Sequence, residues 1–342
     1  MQLKKILLRA PNWVGDTAVA TPSMKAIRAK FPDAEITVLV RPSVTGVFAS
    51  AKYVDRVWTE PKPSGIREWL RIALEVRRQH FDMAVLFPNS FESAAMVFLG
   101  GVRQRIGYAM DSRGWMLTRR IQGEKRKVHH VDYYLELAKA VSADVSHPSM
   151  EITARSEDRT NARKLLAASG ITTDVRFMIL SPGAAFGAAK RWGDQQFAEA
   201  ADKLAEEFNL AVVIIGSEGE RSISDSIQKF MKQPATILNG KTSLETLIGL
   251  IAESELMLGN DSGPVHLASA LGIPTVAVFG ATDYVVAAPY GRLGRAVHVP
   301  VECSPCWLRE CPIDHRCMTR VSPDMVCAAA REVLSKPQTI VS

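Results

Sequence analysis

Short apolar runs alternate with longer amphipathic stretches along most of the chain. In the first half, three runs rich in aliphatic and β-branched residues predict strands at Lys5–Arg9, 36–40 and 83–87. The amphipathic stretches beside them predict helices at 17–30, 65–78, 90–98 and 130–142. Strands that take turns with helices predict a parallel, doubly wound sheet.

The second half repeats this alternation. Apolar runs predict strands at 177–180, 212–215, 236–238, 256–258 and 275–279. Helices are predicted at 194–208, 219–231, 243–253, 264–271 and 323–334. A polar stretch at 142–156 predicts a linker, so we expect an α/β fold of two Rossmann-like doubly wound domains, 1–155 and 156–342.

Length and composition agree with a folded two-domain protein. A chain of 342 residues exceeds one ordinary core, and 47% hydrophobic residues with 23% charged residues exclude a disordered chain. No run approaches the ~18 apolar residues that span a bilayer. The apolar start is too short for a secretory signal, so we expect a cytoplasmic protein.

Charge is uneven between the halves. Residues 1–155 hold 24 Lys and Arg against 15 Asp and Glu, whereas residues 156–342 hold 18 against 21. This surplus indicates either an anionic partner for the first domain or solvated surface charge.

In parallel sheets ligands bind where strands end and helices begin. A glycine-rich loop from Gly183 to Lys190 follows the strand at 177–180 and predicts a phosphate site, or an ordinary loop with a surface lysine. Glu220 follows the strand at 212–215, where it accepts hydrogen bonds from a ribose or stabilises a first helical turn.

The segment after the strand at 256–258 carries the most chemistry. Pro264 predicts a helix start, so Ser262 and Gly263 offer free N–H groups to a diphosphate. Asp261 caps that helix or binds sugar hydroxyls. After the first strand, Asn12 and Asp16 precede a helix, where Asp16 serves as a general base or as a cap.

These segments together resemble glycosyltransferase family 9. The matching pieces occur in the expected order and are Trp13-Val-Gly-Asp16, Pro88-Asn89-Ser90, the loop 182–192 and Asn260-Asp-Ser-Gly263 with His266. The resemblance implies a GT-B fold, in which two Rossmann-like domains face each other across a cleft. The acceptor would bind mainly to the first domain and the donor to the second.

The resemblance also implies a reaction and roles. The reaction is inverting transfer of L-glycero-D-manno-heptose from ADP-heptose to a heptose of the lipopolysaccharide inner core, with no required cofactor. Asp16 matches the base, and Lys190 matches a residue that contacts the diphosphate and the sugar. Donor-binding positions are Gly183, Glu220, Asp261, Ser262 and Gly263. His266 lines the pocket or packs in the core.

The acceptor side is predicted from charge. Asn12, Asn89, Arg103, Arg105 and Arg120 are the candidate acceptor-binding residues, with solvated surface as the alternative for the arginines. Lys62, Arg67 and Arg71 add to the positive charge of this domain. We therefore expect peripheral contact with the inner face of the inner membrane, where this acceptor is anchored.

All five cysteines lie between residues 303 and 327. Cys303, Cys306, Cys311 and Cys317 could hold a structural zinc ion or an iron–sulfur cluster, although their spacing is not that of paired CxxC motifs. Free or redox-labile thiols and disulfides are the alternatives.

Two other functions fit parts of the sequence. One is a different heptosyl or nucleotide-sugar transferase of this fold with another acceptor. The other is a basic, non-catalytic nucleic-acid-binding protein, but no recognition-helix or RNA-binding motif supports it, so we expect no nucleic-acid partner.

Overall fold

The chain divides into two compact units, Met1–Ile152 and Thr153–Ser342. The computed structural model describes residues 3–123, 126–172 and 174–336. The division falls inside the stretch 142–156 that the sequence predicts as a linker, three residues before the predicted domain boundary.

The first unit is built on six strands. They are β1 (Lys5–Arg9), β2 (Glu35–Val40), β3 (Arg56–Thr59), β4 (Met83–Leu86), β5 (Gln104–Tyr108) and β6 (Arg119–Ile121). Its α-helices are α1 (Val14–Lys30), α2 (Ile66–Gln79), α3 (Phe91–Leu99) and α4 (His130–Lys139). Short 3₁₀ helices lie at Pro42–Phe48 and Gly114–Met116.

The second unit has the same plan. Its strands are β7 (Phe177–Ser181), β8 (Ala211–Ile214), β9 (Ala235–Ile237), β10 (Leu256–Asn260), β11 (Thr275–Val278) and β12 (Gly294–Val297). Its helices are α5 (Ser156–Ala168), α6 (Asp194–Phe208), α7 (Arg221–Phe230), α8 (Leu244–Ala252), α9 (Gly263–Ala270), α10 (Tyr284–Ala287), α11 (Arg316–Thr319) and α12 (Pro323–Leu334).

Both sheets are parallel and share one strand order. The first runs β3-β2-β1-β4-β5-β6 and the second β9-β8-β7-β10-β11-β12. The direction of winding therefore reverses between β1 and β4, and again between β7 and β10. The carboxyl ends of strands at such a reversal form a ligand-binding crevice. The predicted α/β, doubly wound fold class is confirmed.

The sequence predicted β9 but missed the other three marginal strands, β3, β6 and β12, and also β5. β3, β6 and β12 are short and partly exposed, and β5 begins with exposed Gln104, so none shows a continuous apolar run. The polar helix α5 was also not predicted. It packs against α8 through a minority of its residues, including Ala162 and Leu166.

Helix α1 is almost wholly buried and contains a proline. Pro22 has no N–H to donate to the carbonyl of Ala18, a loss that normally breaks a buried helix. The hydroxyl of Thr21 donates to that carbonyl over 2.8 Å instead. This replacement keeps α1 continuous, so its first turn is held firmly at the end of β1.

Helices α2 and α3 pack together over one part of the first sheet, where they cover Leu7, Leu39 and Leu86. Helices α1 and α4 pack against each other. Right-handed crossovers that wind in opposite directions from β1 and β4 place α1 and α3 on opposite faces. Among the described residues, no helix combines the length and apolarity needed to cross a membrane.

Candidate functional site

In the second unit, the loops that follow β7 and β10 bring Lys190 to Asp261. Lys190 Nζ lies 2.5 Å from Asp261 Oδ2, and the two side chains are only 13% and 8% exposed. The hydroxyl of Thr282, which follows β11, donates to the same carboxylate oxygen over 2.7 Å. Three loops therefore converge on one buried carboxylate at the reversal point of the sheet.

The carboxylate of Asp261 is held in its ionised form. Burial acts to raise its pKa, but His266 and Lys190 outweigh burial and hold the pKa well below the ordinary value of 3.8. His266 Nε2 lies 3.7 Å from Oδ1, which is too long for a normal hydrogen bond, so its effect is that of a nearby charge or dipole. The direct partners are Lys190 and Thr282.

Helix α9 begins beside this carboxylate with an uncapped first turn. Ser262 is the residue before the helix, and its side chain accepts no capping hydrogen bond, while Pro264 occupies the first turn. Ser262 Oγ and His266 Nδ1 are buried, and neither has a hydrogen-bond partner among the described residues. Buried polar atoms without partners are rare and costly, so this pair is suited to bind a polar ligand.

Glu220 meets the glycine-rich loop. Its Oε2 accepts hydrogen bonds from the backbone N–H and the hydroxyl of Ser217, each over 2.8 Å. Its Oε1 lies so close to Gly183 that a Cβ there would be 2.0 Å away. The helix-start role that the sequence allowed for Glu220 is thus realised, and the same carboxylate borders the loop that leads to Lys190.

Asn260 joins both ends of this loop to β10. Its buried amide donates to the carbonyl of Pro182 over 2.7 Å and accepts from the N–H of Trp192 over 3.0 Å. The Trp192 indole is itself buried and donates to the carbonyl of Val321 over 3.0 Å. These bonds fix both ends of the loop that positions Lys190.

The cysteine-containing segment supports the middle of the same loop. The N–H of Ala189 donates to the carbonyl of Arg309 over 2.9 Å, and the imidazole of His315 lies 2.8 Å from the carbonyl of Ala189. Because a carbonyl only accepts, His315 Nε2 carries the proton. Gly187 has φ of +156°, and a Cβ there would lie 2.3 Å from Arg309 O, so only glycine fits this crossing.

All five cysteines are free thiols. Burial, followed by the nearby thiols of Cys303, Cys306 and Cys311, raises the pKa of Cys317 to about 11. In the described part of the chain, no three His, Cys, Asp or Glu residues are grouped so that they could hold a metal ion. The structure therefore gives the hypothetical metal site at these cysteines no support, and it contains no disulfide there.

In the first unit, Asp16 and Asn89 follow β1 and β4 and are linked through two tyrosines of α4. The hydroxyl of Tyr134 donates to Asp16 Oδ1 over 3.2 Å, and the amide of Asn89 donates to the hydroxyl of Tyr133 over 2.8 Å. The two rings are in edge contact, with centroids 5.5 Å apart. Asp16 lies in the first turn of α1, which begins at Val14.

Burial shapes both tyrosines. It is the main cause that raises the pKa of Tyr134 well above 10, with Asp16 adding to the effect. It likewise raises the pKa of Tyr133 to about 12. Both hydroxyls therefore stay protonated at neutral pH. That of Tyr133 accepts from Asn89, whereas that of Tyr134 donates to Asp16 and is suited to orient its carboxylate.

Arg113 organises the loop that carries Asn89. Its fully buried guanidinium donates to the carbonyl of Pro88 over 2.5 Å and to the hydroxyl of Ser93 over 2.9 Å. Burial lowers the pKa of Arg113 to about 10, so it remains charged near neutral pH. On the neighbouring loop, Arg9 donates to Asn12 Oδ1 over 2.6 Å, which places the exposed Asn12 beside the start of α1.

The three candidate arginines do not lie with Asp16. Arg103 precedes β5 at the amino-terminal edge of the sheet, where it affects the pKa of Asp82. Arg105 donates to the carbonyls of Met116 and Val102, each over 2.5 Å. Arg120 is exposed on the edge strand β6. Only Asn12 and Asn89 of the acceptor candidates lie at the end of the sheet that carries Asp16.

A cavity of about 690 Å³ opens at the amino-terminal edge of the first sheet. Its lining includes Lys30, Asp33, Gln104 and Ser142. None of the predicted site residues lines it, so it is separate from the chemistry at the carboxyl edge.

Sequence reasoning missed Thr282, Tyr133, Tyr134 and Arg113. The rule that site residues follow strand ends could have found Thr282, because it comes shortly after β11. The tyrosines lie on a helix whose apolar pattern predicts only burial, and nothing in the sequence marks Arg113 as a buried guanidinium.

Comparison with protein families matches residues 69–316 to glycosyltransferase family 9 (heptosyltransferase). A lipooligosaccharide heptosyltransferase 2 of Campylobacter jejuni is 26% identical over 340 residues, which cover 96% of this chain and 98% of the relative. A lipopolysaccharide heptosyltransferase 2 of Escherichia coli is 27% identical over 310 residues, which cover 86% of this chain and 88% of the relative.

Solved structures share the fold. ADP-heptose lps heptosyltransferase II of E. coli superposes with a TM-score of 0.81 at 23% identity, covering 96% of this chain and 98% of that one. A family 9 glycosyl transferase from Veillonella parvula gives a TM-score of 0.84 at 20% identity, covering 98% of each chain. At these identities the likeness shows a common architecture of two parallel sheets.

Proposed function

This chain belongs to glycosyltransferase family 9, and from that membership we propose that it transfers L-glycero-D-manno-heptose from ADP-heptose to a heptose of the lipopolysaccharide inner core. Its similarity to heptosyltransferases 2 of C. jejuni and E. coli, over most of each chain, supports this acceptor class. Such a reaction is expected at the cytoplasmic face of the inner membrane.

One observation carries the donor side of the proposal. The buried pair of Lys190 and Asp261 lies at the uncapped start of α9, beside the unpartnered Ser262 Oγ and His266 Nδ1. The phosphate oxygens of a diphosphate sugar would accept hydrogen bonds from the first N–H groups of α9 and from the Ser262 hydroxyl. The sugar hydroxyls would donate to the carboxylate of Asp261. The positive end of the helix dipole and the lysine both favour its negative charge.

Leaving-group stabilisation is the task that we assign to these groups. In the transfer step the bond between the sugar's anomeric carbon and the diphosphate oxygen breaks, and negative charge grows on ADP. Lys190 and the first amides of α9 would face that charge, and preorganised donors of this kind lower the barrier without reorganising. Asp261 would hold Lys190 in place and contact sugar hydroxyls.

Glu220 is proposed to bind the ribose. Oε2 is occupied by Ser217, which fixes the carboxylate, and Oε1 faces the glycine-rich loop at Gly183. A ribose hydroxyl that donates to Oε1 would lie next to the loop that leads to the diphosphate site. The order of contacts along the loop then follows the order of ribose, diphosphate and sugar.

Asp16 is proposed as the general base. The acceptor hydroxyl oxygen would attack the anomeric carbon while its proton passes to the Asp16 carboxylate. Because the bond to ADP breaks in the same displacement, the configuration at that carbon inverts. Tyr134 would orient that carboxylate through its hydroxyl, and Asn89 and Asn12 would contact the acceptor. Because attack and departure occur on opposite sides of the sugar, base and phosphate-binding groups belong to different loops.

The test mixes purified protein, ADP-heptose and a heptosylated inner-core acceptor, and follows ADP release together with acceptor mass. We expect one heptose added per ADP released. Asp16→Asn should abolish transfer, to below ~1% of wild-type kcat, because base catalysis contributes about 10²–10⁴ in rate. Its affinity for ADP-heptose should stay near wild type, since the role we assign to Asp16 involves the acceptor and not the donor.

A matched control is Asp33→Asn, an exposed carboxylate at the amino-terminal edge of the same unit. It should leave kcat unchanged. If Asp16→Asn retains more than about a tenth of the activity, Asp16 is not the base. Release of UDP from a UDP-sugar, with no ADP from ADP-heptose, would identify a different nucleotide-sugar transferase of this fold.

A further inference from the structure

The outer side of α2 is apolar although it faces solvent. Ile66, Leu70 and Leu74 follow one another at four-residue spacing and are 67%, 42% and 54% exposed. Residues four apart lie on one side of a helix, so they form a single stripe. The opposite side of α2 already supplies buried residues to the core. The exposed stripe is therefore a second apolar surface that folding does not use.

The neighbouring helix α3 carries a second exposed apolar cluster in the same unit. Helices α2 and α3 pack together, and a Cβ on Gly100, just after α3, would touch Val76 of α2. Phe98 and Leu99 are exposed at this end of α3. Trp115 is 60% exposed and lies edge-on to Phe98, with ring centroids 5.4 Å apart. We call the outer apolar face the set Ile66, Leu70, Leu74, Phe98, Leu99 and Trp115.

Positive charge flanks the α2 part of this face. Between residues 62 and 80, which hold α2 and the loop before it, there are five Lys and Arg against two Asp and Glu. On α2 itself Arg67, Arg71, Arg77 and Arg78 are all exposed. Arg105 lies over the ring of Phe98, with Cζ 5.3 Å from the centroid. Because the guanidinium of Arg105 is held by the carbonyls of Met116 and Val102, it is the exposed arginines of α2 whose charged ends can reach outward from the apolar surface.

We propose that the outer apolar face docks on the surface of an anionic lipid bilayer. An amphipathic helix with exposed aliphatic residues, a neighbouring tryptophan and flanking arginines has the features of segments that lie in a membrane interface. The arginines select anionic headgroups, while the leucines and Trp115 enter the boundary with the acyl chains. Complementarity of charge favours this partner over a neutral surface.

The docking proposal rests on the proposed function, because a lipid-anchored acceptor requires the enzyme at a membrane. Helices α2 and α3 both begin at the carboxyl edge of the first sheet, where Asp16 and Asn89 also lie. Ile66 lies at the end of α2 that is nearest this edge, so its insertion would bring the edge close to the headgroups, whereas Phe98 and Leu99 lie toward the amino-terminal edge, where α3 ends before β5. The acceptor sugar could then reach Asp16 while its lipid anchor stays in the bilayer.

The test measures partition of the full chain onto vesicles of phosphatidylcholine with one quarter phosphatidylglycerol, and onto phosphatidylcholine alone. Wild type is expected to bind the anionic vesicles and to lose binding as salt rises. Leu70→Ser with Leu74→Ser should lower the partition coefficient at least about tenfold. Arg67→Gln and Arg78→Gln should each lower it about fivefold.

Phe230→Ser is the matched control, because Phe230 is 53% exposed on α7 of the second unit. It should bind vesicles as wild type does. Thermal unfolding of each variant should stay at the wild-type temperature, since all the replaced side chains are exposed. A second apolar variant, Trp115→Ser, should weaken binding independently of α2.

Three results would overturn the docking proposal. The first is equal binding of the wild type to both vesicle types, and the second is unchanged binding by the double leucine variant. The third is a wild-type protein that is dimeric and does not bind vesicles, together with a double leucine variant that is monomeric. The last would make the face an interface between two copies. Failure of the proposed function looks different, because ADP release with a delipidated, soluble acceptor does not need vesicle binding. Docking without any ADP release would refute the function alone.

Discussion

Removing the charge of Lys190 separates its structural role from its catalytic role. In Lys190→Met, the carboxylate of Asp261 stays buried, at 8% exposure in the wild type, and among the described residues it keeps Thr282 as a close partner, with His266 at 3.7 Å. Breaking a buried ion pair in this way typically costs about 3 kcal/mol. For a unit of this size, that corresponds to a fall in Tm of about 6–12 °C.

The double variant Lys190→Met with Asp261→Asn removes both charges. Replacing a whole buried pair is often close to neutral, so its free energy of unfolding should return to within ~1 kcal/mol of wild type. Activity should not return. Loss of one preorganised donor to the leaving group lowers kcat by about 10²–10³, and the asparagine cannot replace it.

The assays are thermal unfolding and ADP release for wild type, both single variants and the double variant. The four unfolding free energies give the coupling between the two residues. Recovery of kcat together with stability in the double variant would mean that Lys190 acts only through the fold. A Lys190→Met protein as stable as wild type would refute the assignment of a structural ion pair.

Four further predictions follow from the site geometry. Tyr134→Phe removes the hydroxyl that donates a hydrogen bond to Asp16, so kcat should fall about tenfold while KM for ADP-heptose stays unchanged. A weaker affinity for ADP-heptose would contradict this role. Gly183→Ala places a Cβ 2.0 Å from Glu220 Oε1, so the carboxylate must turn away and KM for ADP-heptose should rise with little change in Tm. An unchanged KM would argue against ribose binding by Glu220. Folding depresses the pKa of Asp261, so the stability that its carboxylate contributes should be full above about pH 4 and lost only in stronger acid. The difference in unfolding free energy between wild type and Asp261→Asn should therefore be the same at pH 5 and at pH 7. A difference that is smaller at pH 5 would contradict this expectation. Cys317 is buried and its pKa is raised to about 11, so iodoacetamide at pH 8 should label Cys303 before Cys317, and mass spectrometry of timed samples can establish the order. Metal analysis of anaerobically purified protein should accompany the labelling, because more than ~0.2 metal per chain would support a metal site at these cysteines.

The sequence predicts the centre of each sheet well because central parallel strands are buried on both faces. The runs at β1, β4, β7 and β10 are continuous apolar segments for that reason. Marginal strands such as β6, with two exposed arginines, are defined by pairing with a neighbour. That pairing depends on the tertiary fold and leaves no local pattern in the sequence.

The candidate site was predictable to the extent that it lies on loops after strands. Lys190 and Asp261 each lie on a loop after a strand, and the sequence marks both as donor-binding positions. Tyr134 could not be predicted as the partner of Asp16, because 118 residues separate them and the pairing depends on how α4 packs against α1. Likewise, no sequence pattern distinguishes the buried Arg113 from the exposed arginines around it.

The hydrogen bonds that join Ala189 to Arg309 and His315 make the position of Lys190 depend on residues more than a hundred positions downstream. Both backbone polar groups of Ala189 are engaged, so the neighbouring lysine cannot shift unless the distant segment shifts too. Covalent change at a thiol in that segment would reach Lys190 through these two hydrogen bonds. A chain cut short before residue 303 would keep Lys190 in its sequence yet lose the support that aims it.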